Sequence, residues 1–294
     1  MIGEKNNIIS KIWIDVVFII ICLLTTLPFL LLLGISFSNE RDIVYSGYSL
    51  IPKHFDLSAY QYVFKNPTAI LKAYGFTAFT SFTGTFLSVF MMALIAYPLS
   101  IKKFRLRNFF SMYLFVTMIF SGGMAGGYII NAKYLHLSNT PWIFILPGTI
   151  SAWYVIILRT FFQGIPNEIK ESARIDGASH WRIFFSMILP LSKPALATVA
   201  LMTLLAKWND WMTCMLYITN NDMLTIQYLL QRIMENIKLL EQVSQIGMAS
   251  AAGEIPSETV RMAMAVIAAG PMIMVFPFFQ KYFTKGLTVG SVKG

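Results

Sequence analysis

The chain has 294 residues, of which 56% are hydrophobic and only 13% charged, about half the charged share of soluble domains, and that excludes a water-soluble enzyme. Its 23 Lys and Arg against 14 Asp and Glu give a formal charge of +9, which in so apolar a chain bears on membrane sidedness more than on nucleic acid. Two cysteines, Cys22 and Cys214, and three scattered histidines, His54, His136 and His180, offer neither a disulfide scaffold nor metal-ligand spacing.

Six apolar runs follow one another, at 13–37, 73–99, 109–130, 141–162, 194–218 and 260–283, each near or above the roughly 20 residues that cross a bilayer as a helix. Lys5 and Lys11 precede the first run, but it is too long for a signal-peptide core and no small-residue cleavage pattern follows Gly34. It is expected to stay as an anchor. Six spans place both termini on one side. On that side lie Lys5, Lys11, Lys102, Lys103, Arg105, Arg107, Arg159, Lys170, Arg174, Arg182, Lys193, Lys281, Lys285 and Lys293, against only five acidic residues. The other side holds eight basic and eight acidic residues. Positive-inside bias therefore predicts cytoplasmic termini. The outer loops 38–72 and 219–259 are long, and Ile226 to Leu240 reads as an amphipathic surface helix.

Ser121 to Gly127 places four glycines in seven residues at the end of the third run. Each weakens a helix by roughly 0.8–1 kcal/mol relative to Ala, so the segment is either a bend or site of close helix packing, or a loose outer end of a span. Pro28, Pro98, Pro147, Pro271 and Pro277 are expected to kink helices. In the fifth run, Lys207, Trp208, Asn209, Asp210 and Trp211 form a polar and aromatic group. Lys207 lies 14 residues beyond Lys193, about 21 Å of helix, hence in the outer half of the membrane. On a continuous helix Lys207 and Asp210 can pair at i,i+3, and the two tryptophans share another face. This group either lines a polar path through the membrane or is an ion pair within an interfacial aromatic belt.

Between the fourth and fifth runs, residues 165–190 read as two short helices. Pro166 suits a first helical position, Asp176-Gly177 ends that helix with Gly at C′, and Ser179 can cap a second helix running to Leu189 before Pro190. Ala173, Gly177 and Ala178 carry little bulk, which suits close approach of another chain.

Glu171-Ser172-Ala173-Arg174-Ile175-Asp176-Gly177-Ala178, followed by Leu189-Pro190, resembles the EAA loop of ABC importer permeases, with Ser172 in place of the middle Ala. Asn139-Thr140-Pro141-Trp142, Arg159-Thr160-Phe161-Phe162, Trp208-Asn209-Asp210-Trp211 and the tail from Phe278 to Gly290 extend the resemblance to the carbohydrate-type permeases. Within these the chain is similar to the smaller subunit related to the shorter permease of the maltose importer, and to a branch handling complex oligosaccharides. The Gly-rich end of the third run departs from that branch, where a Pro-bearing stretch is expected.

The resemblance implies an all-α membrane protein of the type I ABC importer permease fold, with six transmembrane helices and a cytoplasmic coupling-helix loop between spans 4 and 5. It implies an anchor span and outer loop over 1–71, a transport core over 72–283 with the EAA loop at 165–190, and a cytoplasmic tail over 284–294. ATPase docking is expected on Glu171, Ser172, Ala173, Ile175, Asp176, Gly177 and Ala178, and a further tail contact on Gly286, Gly290 and Ser291. The implied partners are a second permease, two ATP-binding subunits that carry ATP and Mg, an extracellular solute-binding protein and the lipid bilayer of a bacterial cytoplasmic membrane, with no nucleic acid. This chain itself has no G-x-x-x-x-G-K-[ST] motif and is expected to hold no cofactor, metal or catalytic residue. The competing reading, an ion-coupled secondary transporter or channel of six spans, calls for charges near mid-membrane and typically repeat symmetry, and the sparse intramembrane charges and the EAA-like loop argue against it.

Overall fold

A computed structural model describes residues 2–245 and 257–291. Among them the chain is helical, with one isolated antiparallel bridge between Ser38 and Phe55. It divides into two compact units, Met1–Pro67 with Leu230–Gly270, and Thr68–Leu229 with Pro271–Gly294.

In the first unit, α1 (Ile2–Ser36) is long and apolar, and the window that qualifies it as a membrane span has no residue buried within the chain. Gly34 is required by close approach, because a Cβ there would lie 2.4 Å from the Leu50 carbonyl oxygen. Asn39 caps α2 (Glu40–Ser46), its Oδ1 accepting the Arg41 N–H at 3.0 Å, and α3 (Ser58–Val63) follows. The Glu40 carboxylate accepts the N–H groups of Glu258 and Thr259, both at 2.9 Å, and the Thr259 hydroxyl at 2.7 Å. An anion thus closes orphan donors at the start of the last helix, where the helix dipole favours it.

The second unit takes up the chain with α4 (Pro67–Ser100), α5 (Arg107–Ile119), α6 (Gly123–Ile129) continued by a π-turn over Ile130–Tyr134, and α7 (Trp142–Ile145). Next come α8 (Ala152–Gly164), α9 (Asn167–Ile175), α10 (His180–Ile183), a π-turn over Phe184–Ile188, α11 (Leu189–Leu191), α12 (Lys193–Trp208) and α13 (Met212–Tyr217). The amphipathic stretch expected at 226–240 is α14 (Ile226–Gln245), and α15 (Ser257–Ser291) is the last helix. The core of this unit joins Met92 and Ala96 of α4 to Val155, Leu158 and Phe162 of α8, to Ile183, Phe184 and Ile188, and to Val199 of α12.

Among the described residues, three helices, over 11–36, 67–100 and 257–282, are long and apolar enough to cross a membrane, and two bent pairs raise the number to five. The third apolar run is not one straight helix: α5 and α6 meet at 111°, with Gly123 at φ +71°. The glycines serve as a bend. The fourth run breaks at Pro147-Gly148, since Pro supplies no N–H and Gly148 sits at φ +69°, leaving α7 with four residues and α8 with thirteen. The fifth run ends as α12 at Trp208 and restarts as α13. The helix before it passes Pro190 rather than stopping at Leu189; a π-turn, in which Leu189 N–H reaches the Phe184 carbonyl, absorbs the missing donor. The tail expected from 284 continues α15 in helical backbone through Gly286, Gly290 and Ser291. Residues 292–294 lie outside the described residues.

Candidate functional site

Two places gather the chemistry. The first is the loop from Ile165 to Leu191. Helix α9 ends as the sequence predicts: Gly177 takes φ +77°, its N–H bonds to the Arg174 carbonyl at 3.0 Å, and the Ala178 N–H reaches back to Ala173 at 2.9 Å. This pair of bonds is the Schellman motif, which closes carbonyls that the helix end leaves open. Ser179 then caps α10, its Oγ accepting the Arg182 N–H at 3.3 Å. Glu171, Ser172, Ile175, Asp176 and Gly177 are exposed, with Ile175 at 87%, whereas Ala173 is 2% exposed and belongs to the chain's own core. Ala178 packs partly against that core. Among the described residues, nothing lies within 4 Å of a Cβ position on Gly177.

Lys170 fixes the loop to α8, donating from Nζ to the Phe162 carbonyl at 2.9 Å. Burial lowers its pKa, and the Arg174 guanidinium lowers it further. Lys170 escaped the sequence reading, although its place three residues before Ala173 marks the inner face of α9. A small polar cavity of about 150 Å³ lies beside it, with Lys102, Lys103, Glu171 and Arg174 in its wall.

The second place is where α7, α8 and α12 meet. Pro147-Gly148 leaves the carbonyls at the end of α7 without the usual donors. Thr149 Oγ1 serves those of Ile145 and Leu146 at 2.7 and 2.6 Å, and Lys207 Nζ serves that of Phe144 at 2.9 Å. Lys207 and Asp210 form no ion pair among the described residues; Asp210 Oδ1 instead accepts the Thr213 N–H at 3.0 Å and caps α13. The i,i+3 pairing expected from sequence fails because α12 ends between the two residues. Both still line one cavity of about 300 Å³ with Ser151, Tyr154, Thr203 and Thr213.

The other three expected path residues lie outside that cavity wall. Trp208 is 3% exposed and packs its ring 6.3 Å from that of Tyr74. Asn209 bonds to the Leu205 carbonyl and to Gln227, and Trp211 is half-buried before α13. Asn139, at φ +55°, holds the turn after α13: its Oδ1 accepts the N–H groups of Thr219 at 2.7 Å and Asn220 at 3.1 Å. Sequence reading had Asn139 only as part of a resemblance, and the positive φ that Asn tolerates is the signal that explains it.

The family described as "Binding-protein-dependent transport system inner membrane component" matches residues 65–289. Protein LplC of Bacillus subtilis (strain 168) is 38% identical over 272 residues, covering 92% of this chain and 90% of LplC. The polygalacturonan/rhamnogalacturonan transport system permease protein YtcP of the same organism is 38% identical over 273 residues, covering 92% and 94%. Among solved structures, a bacterial ABC transporter involved in the import of the acidic polysaccharide alginate matches with a TM-score of 0.78 and 26% identity, covering 94% of this chain and 96% of that chain. With a helical bundle of matching fold and a family match over most of its length, the chain belongs to the binding-protein-dependent transport system inner membrane components, the membrane permeases of such systems.

Proposed function

We propose that this chain is one permease subunit of an ABC importer that carries an oligosaccharide across the cytoplasmic membrane. Similarity along nearly the whole chain to a polygalacturonan/rhamnogalacturonan permease carries the proposal. In this reading it pairs with a second permease, rests on two ATP-binding subunits that supply ATP and Mg, and receives cargo from an extracellular solute-binding protein. The core spans 72–283, preceded by an anchor and outer loop and followed by the tail from 284. Counting α1, α4, the pair α5–α6, α7 with α8, the pair ending in α12, and α15 as six spans keeps both termini in the cytoplasm, in line with the charge asymmetry.

The loop is the mechanical element. Its exposed residues Glu171, Ser172, Ile175, Asp176 and Gly177 present a capped, rigid end to an ATP-binding subunit, while Ala173, Ile183, Phe184 and Ile188 anchor the same segment in the core shared by α4, α8 and α12. A push on the knob therefore moves those helices as one body, as alternation between inward- and outward-facing states requires. Gly286, Gly290 and Ser291 lie on the final turns of α15 and would add a second contact with the ATPases.

Affinity purification of the full chain from its host should recover a second permease and an ATP-binding subunit. Recovery of the chain as a lone, sugar-translocating protein would remove the proposal. With Cys22 and Cys214 replaced, a cysteine at Ser58 should react with an impermeant reagent in intact cells and one at Ser179 should not. The opposite pattern would invert the topology.

A further inference from the structure

We propose that the cavity between α7, α8 and α12 holds an anionic group of the cargo, the carboxylate of a uronic-acid unit, on Lys207 Nζ and Thr203 Oγ1. This rests on the reading of the chain as a sugar permease and names the class of sugar.

The position of Lys207 is set by its surroundings. Its stem lies across Gly84 of α4, where a Cβ would come within 2.9 Å of Cδ, 3.0 Å of Cε and 3.1 Å of Nζ. Its tip ends on the Phe144 carbonyl at 2.9 Å. That bond uses one of three ammonium donors. No carboxylate lies within ion-pair distance among the described residues. Asp210 stands in the same cavity wall without a direct ion pair to Lys207, and a cation on an intramembrane helix is expensive and marks substrate pathways.

Thr203 stands one turn earlier on the same face of α12 and lines the same cavity. It is 7% exposed, and its hydroxyl has no hydrogen-bond partner among the described residues. Buried hydroxyls are nearly always paired, so an unpartnered one on the same helix face as an ammonium with donors to spare leaves a second hydrogen-bond donor at this cavity's wall. A carboxylate accepts from both. Asp210 lies in the same wall with its Oδ1 committed to the Thr213 N–H, and its charge opposes the incoming carboxylate, so the Lys207 ammonium must outweigh it. A volume of about 300 Å³ is at the lower end for small-molecule pockets and suits one sugar ring rather than a chain. Polygalacturonan and the acidic polysaccharide alginate, named for two similar transporters, are carboxylate polymers.

The test uses the complete importer in its own host, with one unchanged binding protein, and measures uptake of oligogalacturonates and oligoalginates beside their carboxyl-reduced, neutral counterparts. Lys207→Gln should raise the KM for the acidic probes by about tenfold or more, the size of a lost charge-assisted hydrogen bond, and leave that for the neutral probes within about twofold. Lys207→Arg should restore most of the acidic uptake. Thr203→Val, which keeps the shape, should weaken acidic uptake by about threefold or more, and it decides the matter where Lys207→Gln does not accumulate in the membrane. Equal losses on both classes of probe, or a wild type that imports only neutral sugars, would overturn the carboxylate assignment while leaving the permease reading intact. A wild type that imports neither class would remove the permease reading itself.

Discussion

The loop after α8 and the cavity beside α12 both solve the problem of a helix that ends, and they solve it differently. At the loop, the carbonyls of Ala173 and Arg174 and the Arg182 N–H find partners no more than five residues away. At the cavity, the Phe144 carbonyl finds its donor 63 residues away in Lys207, and Asn139 closes a turn 80 residues away. A structure whose end caps close within a few residues keeps its shape when it is pushed, and its ties to neighbouring helices, Lys170 to Phe162 and His180 to Tyr97, hold the capped piece without forming the caps. A structure closed across helices changes when those helices shift. The first suits a part that transmits force and the second a part that opens and shuts around cargo.

The strongest test of that division strikes the loop's local closure. Gly177→Val places a β-branched residue at φ +77°, a conformation that costs about 1–2 kcal/mol for residues with a Cβ and more when bulky. Uptake should fall by about tenfold or more, the rate equivalent of that strain, while assembly with the partner permease persists. Gly177→Asn, which tolerates this region, should recover most of it. Normal uptake by the valine variant would show that the geometry of the knob is not what transmits motion.

At the cavity the corresponding change is Gly84→Ala. Its Cβ meets the flexible end of Lys207, so the lysine yields and the Phe144 carbonyl loses its donor. The purified complex should lose about 1–3 kcal/mol of stability, the range for an unpaired buried acceptor. The effect should be non-additive with Lys207→Met, since both remove one bond. Additive losses would mean that the two residues act separately.

How far these two places can be read in advance follows from the same distinction. Asp176-Gly177 and Ser179 announce the caps because turn and cap chemistry lies within a few residues of sequence. Ser121–Gly127 and Pro147 announced a bend or loose end and a kink, short of the full breaks at 120–122 and 146–151, and the break at 209–211 went unseen within an apolar run, since hydropathy measures transfer into lipid and not continuity of the helix. Pairing of Lys207 with Asp210 failed for that reason: the i,i+3 rule holds only on an unbroken helix. Gly84, Thr203 and the Phe144 carbonyl gain meaning only through Lys207, and no local pattern joins residues on three different helices.

A smaller effect is expected at the second cap. Ser179→Ala removes the acceptor for the Arg182 N–H and should lower stability by about 1 kcal/mol, the usual cost of a lost N-cap. Uptake should fall far less than with Gly177→Val, because the core residues Ile183, Phe184 and Ile188 still hold α10 in place. A loss as large as that of Gly177→Val would make the cap, rather than the left-handed glycine, the critical feature of the knob.

The smallest effect at neutral pH, and the one with a sign of its own, concerns Lys170. Its bond to the Phe162 carbonyl is the one long side chain tie described between the loop and α8, and it resembles the bond that Lys207 makes to Phe144. The two lysines differ in setting, for Lys170 faces Arg174 and the cavity with Lys102 and Lys103. Burial, aided by Arg174, holds its pKa below the ordinary 10.5. Below the lowered value the folded and unfolded chains are both protonated, and folding bears the full cost of burying the charge. As pH rises through the lowered value toward 10.5, the unfolded chain binds more protons than the folded one, so stability rises across that window. Lys170→Met removes both the hydrogen bond and this titration. The stability of wild type relative to the variant should therefore increase as pH rises toward 10.5, read as a widening gap in melting temperature of the purified complex. A gap that stays constant or narrows would show that Lys170 is solvated in the assembled complex, and that the loop is held to α8 by its apolar core alone.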